Sequence, residues 1–328
     1  MSLLPFEKMQ RKVLVKSDAE TSDKFGCYPE KRPASELVNY GVINIDKPSG
    51  PTSHQVSAYV QKILGLKKSG HSGTLDPKVT GVLPVAIGRA TRVVEVLLNA
   101  GKEYTTIMHL HKEADEEAIR KVCNQFVGKI KQLPPIKSSV KRRERYRKVY
   151  YLEILEIDDK DVLIKVGTQA GTYIRKLIHD IGAAIGTGAH MAELRRTKSG
   201  PFNDHNVYTL QDLADAYHFY KEGNEKYLKQ VILPVEKAAE HLAKVWVYDT
   251  AVDTICHGAS LKAPGVVKVE SDIQEGERVA MMTLKNELIG IGDAKMISKD
   301  MINSERGVAV KTDKVFMLPG TYPKIEVS

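Results

Sequence analysis

Cysteine is scarce in this chain of 328 residues, and Cys27, Cys123 and Cys256 form no Cys-x-x-Cys pair. That spacing argues against a disulfide framework and a cysteine-rich zinc site. No apolar stretch approaches the length needed to span a bilayer. The opening MSLLPFEKMQRKVLVK has no apolar signal core followed by a small-residue cleavage site. The chain therefore reads as intracellular. Several cofactor signatures are missing too: no Gly-x-x-x-x-Gly-Lys-Ser/Thr, no Gly-x-Gly-x-x-Gly after a strand, no His-Glu-x-x-His and no Gly-x-Ser-x-Gly elbow. No cofactor and no metal are expected, so any chemistry must come from ordinary side chains. His109 and His111 could share a strand face, but without a nearby third ligand they read as polar residues on a solvated face. There is no internal repeat and no low-complexity tail.

What is present fits a globular protein with a sizeable core: 42% hydrophobic and 27% charged residues. A net charge of +8 suits an anionic partner, nucleic acid first. Lys137, Lys141, Arg142, Arg143, Arg145, Arg147 and Lys148 are opposed only by Glu144 in their stretch. An RNA-binding loop and a merely solvated basic loop are both open readings of that run. If it binds RNA, the loop at 137–148 is expected to be mobile in the free protein and to settle over substrate.

Residues 1–36, with Pro5, Pro29 and Pro33 and no sustained periodicity, read as an extended arm. Tyr40–Asp46 reads as a strand ending at Lys47-Pro-Ser-Gly50. A helix follows with Ser53 as its N-cap. Gly70–Pro77 is glycine-rich and leads into the apolar run Val82–Ile87. Tyr104–Leu110 reads as a strand, Asp115–Phe126 as a helix, and Val149–Ile157 with Val162–Thr168 as a hairpin. An amphipathic helix is expected at Ile174–Ile185, and shorter helices at Leu210–Tyr220 and Val235–Leu242. This irregular interleaving favours an α+β fold on a mixed sheet. Beyond Leu242, short apolar pieces broken by glycine predict a small β-barrel or sandwich. The expected division is an arm at 1–36, a catalytic domain at 37–243 and a barrel at 244–328.

Asp76 sits in Gly73-Thr-Leu-Asp-Pro77, where Pro77 favours an extended Asp76 and the glycine permits close approach of a ligand. An Asp-Pro turn is the ordinary reading of those residues alone. Arg175 opens the Ile174–Ile185 helix and is expected to be buried or half-buried, in need of a carboxylate. Tyr104 and Tyr173 are candidate stacking surfaces for an unstacked base, or partly buried packing residues.

The run from Gly70 to Arg92, with Asp46–His54, Gly171–Arg175 and Gly188–Gly200, resembles the ordered core motifs of the TruB-type pseudouridine synthases. The C-terminal segment resembles a PUA domain, a small RNA-binding barrel. The resemblance implies that Asp76 is the essential carboxylate and that Arg175 holds it. It further implies that Tyr104 stacks on the target base, with Tyr173, His54, Lys47 and Leu194 lining the pocket. Pro134-Pro-Ile-Lys-Ser-Ser-Val-Lys141 runs straight into the basic stretch, without the longer loop of bacterial stand-alone members. That departure, with the arm and the PUA-like domain, resembles the archaeal dyskerin-like branch, which works in box H/ACA particles. Such membership implies a guide RNA, a substrate RNA, two small core proteins on the catalytic domain and a kink-turn-binding ribosomal-type protein reached through RNA. It also implies action mainly on ribosomal RNA, in the cytoplasm of an archaeal cell. A stand-alone transfer-RNA pseudouridine synthase and a non-catalytic RNA-binding scaffold remain as alternatives.

Overall fold

A computed structural model describes residues 2–133 and 143–324. Two mixed sheets organise them. The larger runs Ile232–Pro234, Gly41–Lys47, Thr80–Ile87, Ala189–Ser199, Lys102–Leu110, Asp161–Thr168, Arg145–Asp158, Gly128–Gln132, with two short strands pairing off this path. Most neighbours are antiparallel, but Thr80–Ile87 meets Ala189–Ser199 in parallel. This is the expected α+β architecture.

The Gly41–Lys47 strand shows why the sheet is covered on both faces. Successive strand residues point to opposite sides, and here Val42 joins one core cluster while Ile43 and Ile45 join another. Each such side chain contributes about 1.5–3 kcal/mol on burial. The Ile43 side packs the Ser53–Leu64 and Leu210–Lys221 helices. The Val42 side meets Trp246, Ala280, Leu288 and Phe316 of the second sheet. At the other end, the helices Glu116–Gln125 and Ile174–Ile185 pack on Met108, Leu110, Val162 and Ile164.

The second sheet runs Val13–Val15, Val266–Glu270, Ala243–Val247, Arg278–Met282, Leu288–Ala294, Val308–Val315, Leu261–Lys262. Its edge is therefore supplied by the N-terminal arm, which is less free than an extended tail. Lys16 Nζ donates to the carbonyls of Ala263 (3.0 Å) and Ser304 (2.6 Å). Lys285 Nζ donates to Ser22 O at 2.9 Å and also to Phe25 O. Where arm, large sheet and barrel meet, Arg32 makes a two-pronged bond to Glu236 at 2.8 and 2.9 Å. The same carboxylate accepts from the Leu288 backbone N–H at 3.0 Å, and Arg32 and Arg89 both lie over the Tyr40 ring.

Several local expectations are corrected. Thr52, not Ser53, caps the Ser53–Leu64 helix, through a reciprocal pair with Gln55; the Ser53 hydroxyl is engaged elsewhere. Val235–Ala239 forms a 3-10 turn rather than a longer helix. The barrel also carries an Asp249–Cys256 helix that was not expected. The basic stretch is not one loop: Arg145, Arg147 and Lys148 belong to the long Arg145–Asp158 strand. Lys137, Lys141 and Arg142 lie outside the described residues.

Candidate active site

Asp76 stands on a loop tied down from below. Lys47 is wholly buried, and its ammonium donates to the carbonyls of Pro48 (2.8 Å), Pro77 (2.9 Å) and Val79 (2.8 Å). Burial and the nearby Arg196 charge lower the proton affinity of Lys47, and Asp76 opposes them. The Ser53 hydroxyl accepts from Leu75 N at 2.8 Å. Gly50 N donates to Pro77 O at 2.9 Å, and Val79 N to Asp76 O at 3.0 Å. Every bond pins backbone and leaves the Asp76 side chain pointing out. Lys47 thus supports the loop from beneath; it does not face the cleft.

Arg175 meets Asp76 from the other side, Nη2 donating to Oδ2 at 2.5 Å. The Ile174–Ile185 helix aims it: Ile174 and Leu177 are buried, which turns the residue between them outward. The helix start is itself held, because buried Gln132 accepts from Tyr173 N (3.0 Å) and donates to Tyr173 O (3.1 Å). The expected buried guanidinium is corrected: Arg175 is 62% exposed and Asp76 is 56% exposed. The pairing that sequence could not establish is present, but it is open to solvent.

Tyr104 is half-buried on the Lys102–Leu110 strand, directly across from Arg196 on Ala189–Ser199, beside a register shift. Leu194, two residues before Arg196, packs with Tyr104 on the cluster that includes Ile174. His54 is exposed in the first turn of its helix, next to the Ser53 that holds Leu75. The loop and the helix start meet at the Asp76–Arg175 pair, and Tyr104 and Leu194 share the core cluster that includes Ile174 beside it. The basic strand borders the same place, since Arg147 Nε donates to Gly171 O at 3.2 Å, in the segment leading to Tyr173. Lys148 is exposed, Arg145 is half-buried, and Arg143 just ahead of the strand is exposed.

Sequence reading passed over Arg196. Its Nε donates to Val82 O at 2.7 Å and its Nη2 to Gly73 O at 3.4 Å. Gly81 makes room for that strand: a Cβ there would lie 2.2 Å from the Arg196 carbonyl oxygen, and its φ is +103°. Neighbouring Arg195 is committed to Asp46 at 2.9 and 3.0 Å. Strand side chains alternate faces, so adjacent Arg195 and Arg196 must part, but nothing in the sequence says which of them turns inward. His109 bonds Asp161 at 2.7 Å and His111 bonds His190 at 3.1 Å. No group of three such residues could hold a metal ion among the described residues.

Comparisons with known proteins agree along the length of the chain. Residues 61–174 match the N-terminal domain of the TruB family of pseudouridylate synthases, and 175–240 match the tRNA pseudouridylate synthase B C-terminal domain. Residues 243–316 match the PUA domain and residues 2–57 the DKCLD domain. A probable tRNA pseudouridine synthase B of Methanopyrus kandleri is 56% identical, covering 98% of this chain and 95% of its own. That of Pyrococcus abyssi is 57% identical, covering 98% and 97%. Among solved structures, one chain of a Cbf5-Nop10-Gar1 complex is 54% identical, with a TM-score of 0.94 over 99% of both chains. A chain of an H/ACA RNP bound to a substrate RNA containing 2′-deoxyuridine is 53% identical, with a TM-score of 0.92 over 98% of this chain and 99% of that one. Motif order, a carboxylate held by an arginine and likeness over the whole length agree, and this chain belongs to the TruB family of pseudouridylate synthases and carries a C-terminal PUA domain.

Proposed function

We propose that this chain isomerises uridine to pseudouridine in guide-paired RNA, mainly ribosomal, as the catalytic subunit of a box H/ACA particle. The observation that carries the reading is the Asp76–Arg175 pair, outward-facing on a rigid loop. In the isomerisation the C1′–N1 bond breaks, the uracil turns while held, and a C1′–C5 bond forms. C5 gives up a proton and N1 gains one, so no oxidant and no water is consumed. Asp76 supplies the essential carboxylate, attacking C1′ or C6 or promoting a glycal route. Arg175 pairs with that carboxylate and aims it. A stacked base is out of reach, so the nucleotide must flip. Tyr104 then stacks on it and is the candidate base for the C5 proton. Tyr173, His54 and Leu194 border the flipped nucleotide, while Lys47 acts from under the loop. A glycosidase would instead pair two carboxylates across the bond and admit a water.

The division proposed is arm 1–36, catalytic domain 37–243 and RNA-binding barrel 244–328. Arg143, Arg145, Arg147 and Lys148 would follow the RNA backbone, together with Lys137, Lys141 and Arg142. Likeness to the solved Cbf5-Nop10-Gar1 complex and the substrate-bound H/ACA RNP supports the partners proposed for this chain. They are guide RNA, substrate RNA, two small core proteins on the catalytic domain and a kink-turn-binding ribosomal-type protein reached through RNA. No helix among the described residues is long and apolar enough to cross a membrane; the cytoplasm is the proposed site of action.

A second reading is favoured by the names of the curated relatives, probable tRNA pseudouridine synthase B. It makes the chain a stand-alone enzyme on transfer RNA. One assay separates the two: pseudouridine formation by wild type and Asp76→Asn, with and without guide. Guide-dependent product that vanishes in the variant supports the particle. Efficient guide-free modification of a transfer RNA favours the second reading. Undiminished product from Asp76→Asn sinks the mechanism in both.

A further inference from the structure

Arg196 is 1% exposed, and no carboxylate pairs with it among the described residues. A buried cation without an anion is expensive and persists where its donors hold something in place. Its neighbours do not neutralise it: the charge of Arg196 instead acts against protonation of buried Lys47, Lys102 and half-buried His71. A guanidinium offers five N–H donors in a rigid plane. Here one reaches Val82 in the strand after the Asp76 loop, and another reaches Gly73 at the root of that loop. The remaining side is turned to Tyr104, which the strand register sets directly opposite. The register shift between Glu103 and Tyr104 falls at this point, and such irregularities re-aim a side chain next to active sites.

We propose that Arg196 is a positioning residue for the isomerisation, fixing the Tyr104 phenol relative to the Asp76 loop so that ring and carboxylate meet the same nucleoside in one geometry. The inference rests on the pseudouridine synthase reading above. Arg196 does not touch RNA in this account, because it is 1% exposed. It acts through a rigid three-way tie among strand, loop root and ring. Lysine in its place keeps the charge but cannot reach three groups from one plane.

The test is a double-mutant cycle in the particle reconstituted with guide and substrate RNA, using Arg196→Lys, Tyr104→Phe and the pair. Arg196→Lys is expected to lower the single-turnover rate by about 10- to 100-fold, the cost of a misplaced reacting group, with substrate affinity changed less than about twofold. In the Tyr104→Phe background, which keeps the ring and removes the hydroxyl, the same substitution should add no more than about twofold. Equal losses in both backgrounds, or a loss confined to RNA affinity, overturn the proposal. If the lysine variant does not fold, ring-labelled tyrosine NMR of the wild type decides, with Tyr104 assigned from Tyr104→Phe. A phenol carbon signal indistinguishable from that of an exposed tyrosine overturns it, and a shifted one upholds it. Absence of pseudouridine with wild type and guide removes the parent reading itself, whereas normal product without coupling removes only the role of Arg196.

Discussion

Arg175 and Asp76, 99 residues apart in the chain, meet at 2.5 Å while more than half of each side chain stays open to solvent. An ion pair so exposed is worth little to folding, typically about 0–1 kcal/mol. Asp76→Asn and Arg175→Ala should therefore leave the thermal midpoint nearly unchanged. Pseudouridine formation should fall below detection for Asp76→Asn and by roughly 100-fold or more for Arg175→Ala, the scale of losing a preorganised electrostatic partner. Calorimetry beside a single-turnover assay checks both halves. A midpoint drop that matches the activity loss would mean the pair is structural.

Lys47 presents the opposite case. Lys47→Met keeps the length of the stem but leaves the carbonyls of Pro48, Pro77 and Val79 without their shared donor. Buried groups left unsatisfied cost about 1–3 kcal/mol each, softened by whatever water can enter. Stability and turnover should fall together, with amide exchange around Gly73–Val79 speeding up first. Unchanged exchange in that loop would show that the ammonium does not hold it.

At the junction, Arg32 is 3% exposed and Glu236 is nearly buried. Arg32→Met strands a carboxylate that also accepts from Leu288 in the barrel, and breaking a buried pair costs about 3–5 kcal/mol. Limited proteolysis should then cut the arm between residues 17 and 33 several times faster. The catalytic rate on saturating guide-bound substrate should change far less than the proteolysis rate. An arm as resistant as wild type would refute the role given to the Arg32–Glu236 pair.

His241 gives a pH dependence whose sign can be fixed. Burial, reinforced by nearby Lys102, lowers its pKa from 6.5 to about 4. Between those values the unfolded chain binds the proton more readily than the folded one, so stability is complete above 6.5 and drains away as pH falls towards 4. The loss attributable to this ring is on the order of 1–3 kcal/mol. His241→Gln should flatten the denaturant midpoint over that range while leaving the alkaline side alone. Parallel curves for variant and wild type would exclude His241 as the source.

Much of this arrangement was legible because periodicity and punctuation agreed. Tyr40–Asp46, Tyr104–Leu110 and Ile174–Ile185 emerged within a residue or two of their boundaries. Asp76 and Arg175 were nameable from motif order. What stayed hidden depends on contacts distant in sequence. Ser53 looks like a helix cap until Leu75 is seen to claim its hydroxyl. Arg175 was expected to be buried because its flanks are apolar, yet those flanks turn it outward. Arg145–Lys148 looked like loop because charge outweighed the pull of the neighbouring strand. Arg196 was invisible, since nothing local says that of two adjacent arginines one faces Asp46 and the other the interior.

The edge strand Val13–Val15 pairs with Val266–Glu270, and Lys12 N donates to the Ser271 hydroxyl, 259 positions further along the sequence. On the ribosome the first of these segments emerges long before the second exists. The arm must therefore wait, unpaired, through synthesis of the whole catalytic half, and contacts of such separation form slowly. During that interval the exposed Val13 and Val15 edge is open to wrong partners. The barrel is complete only when the early strand Val13–Val15 and the late strands from Ala243 to Val315 have all been made.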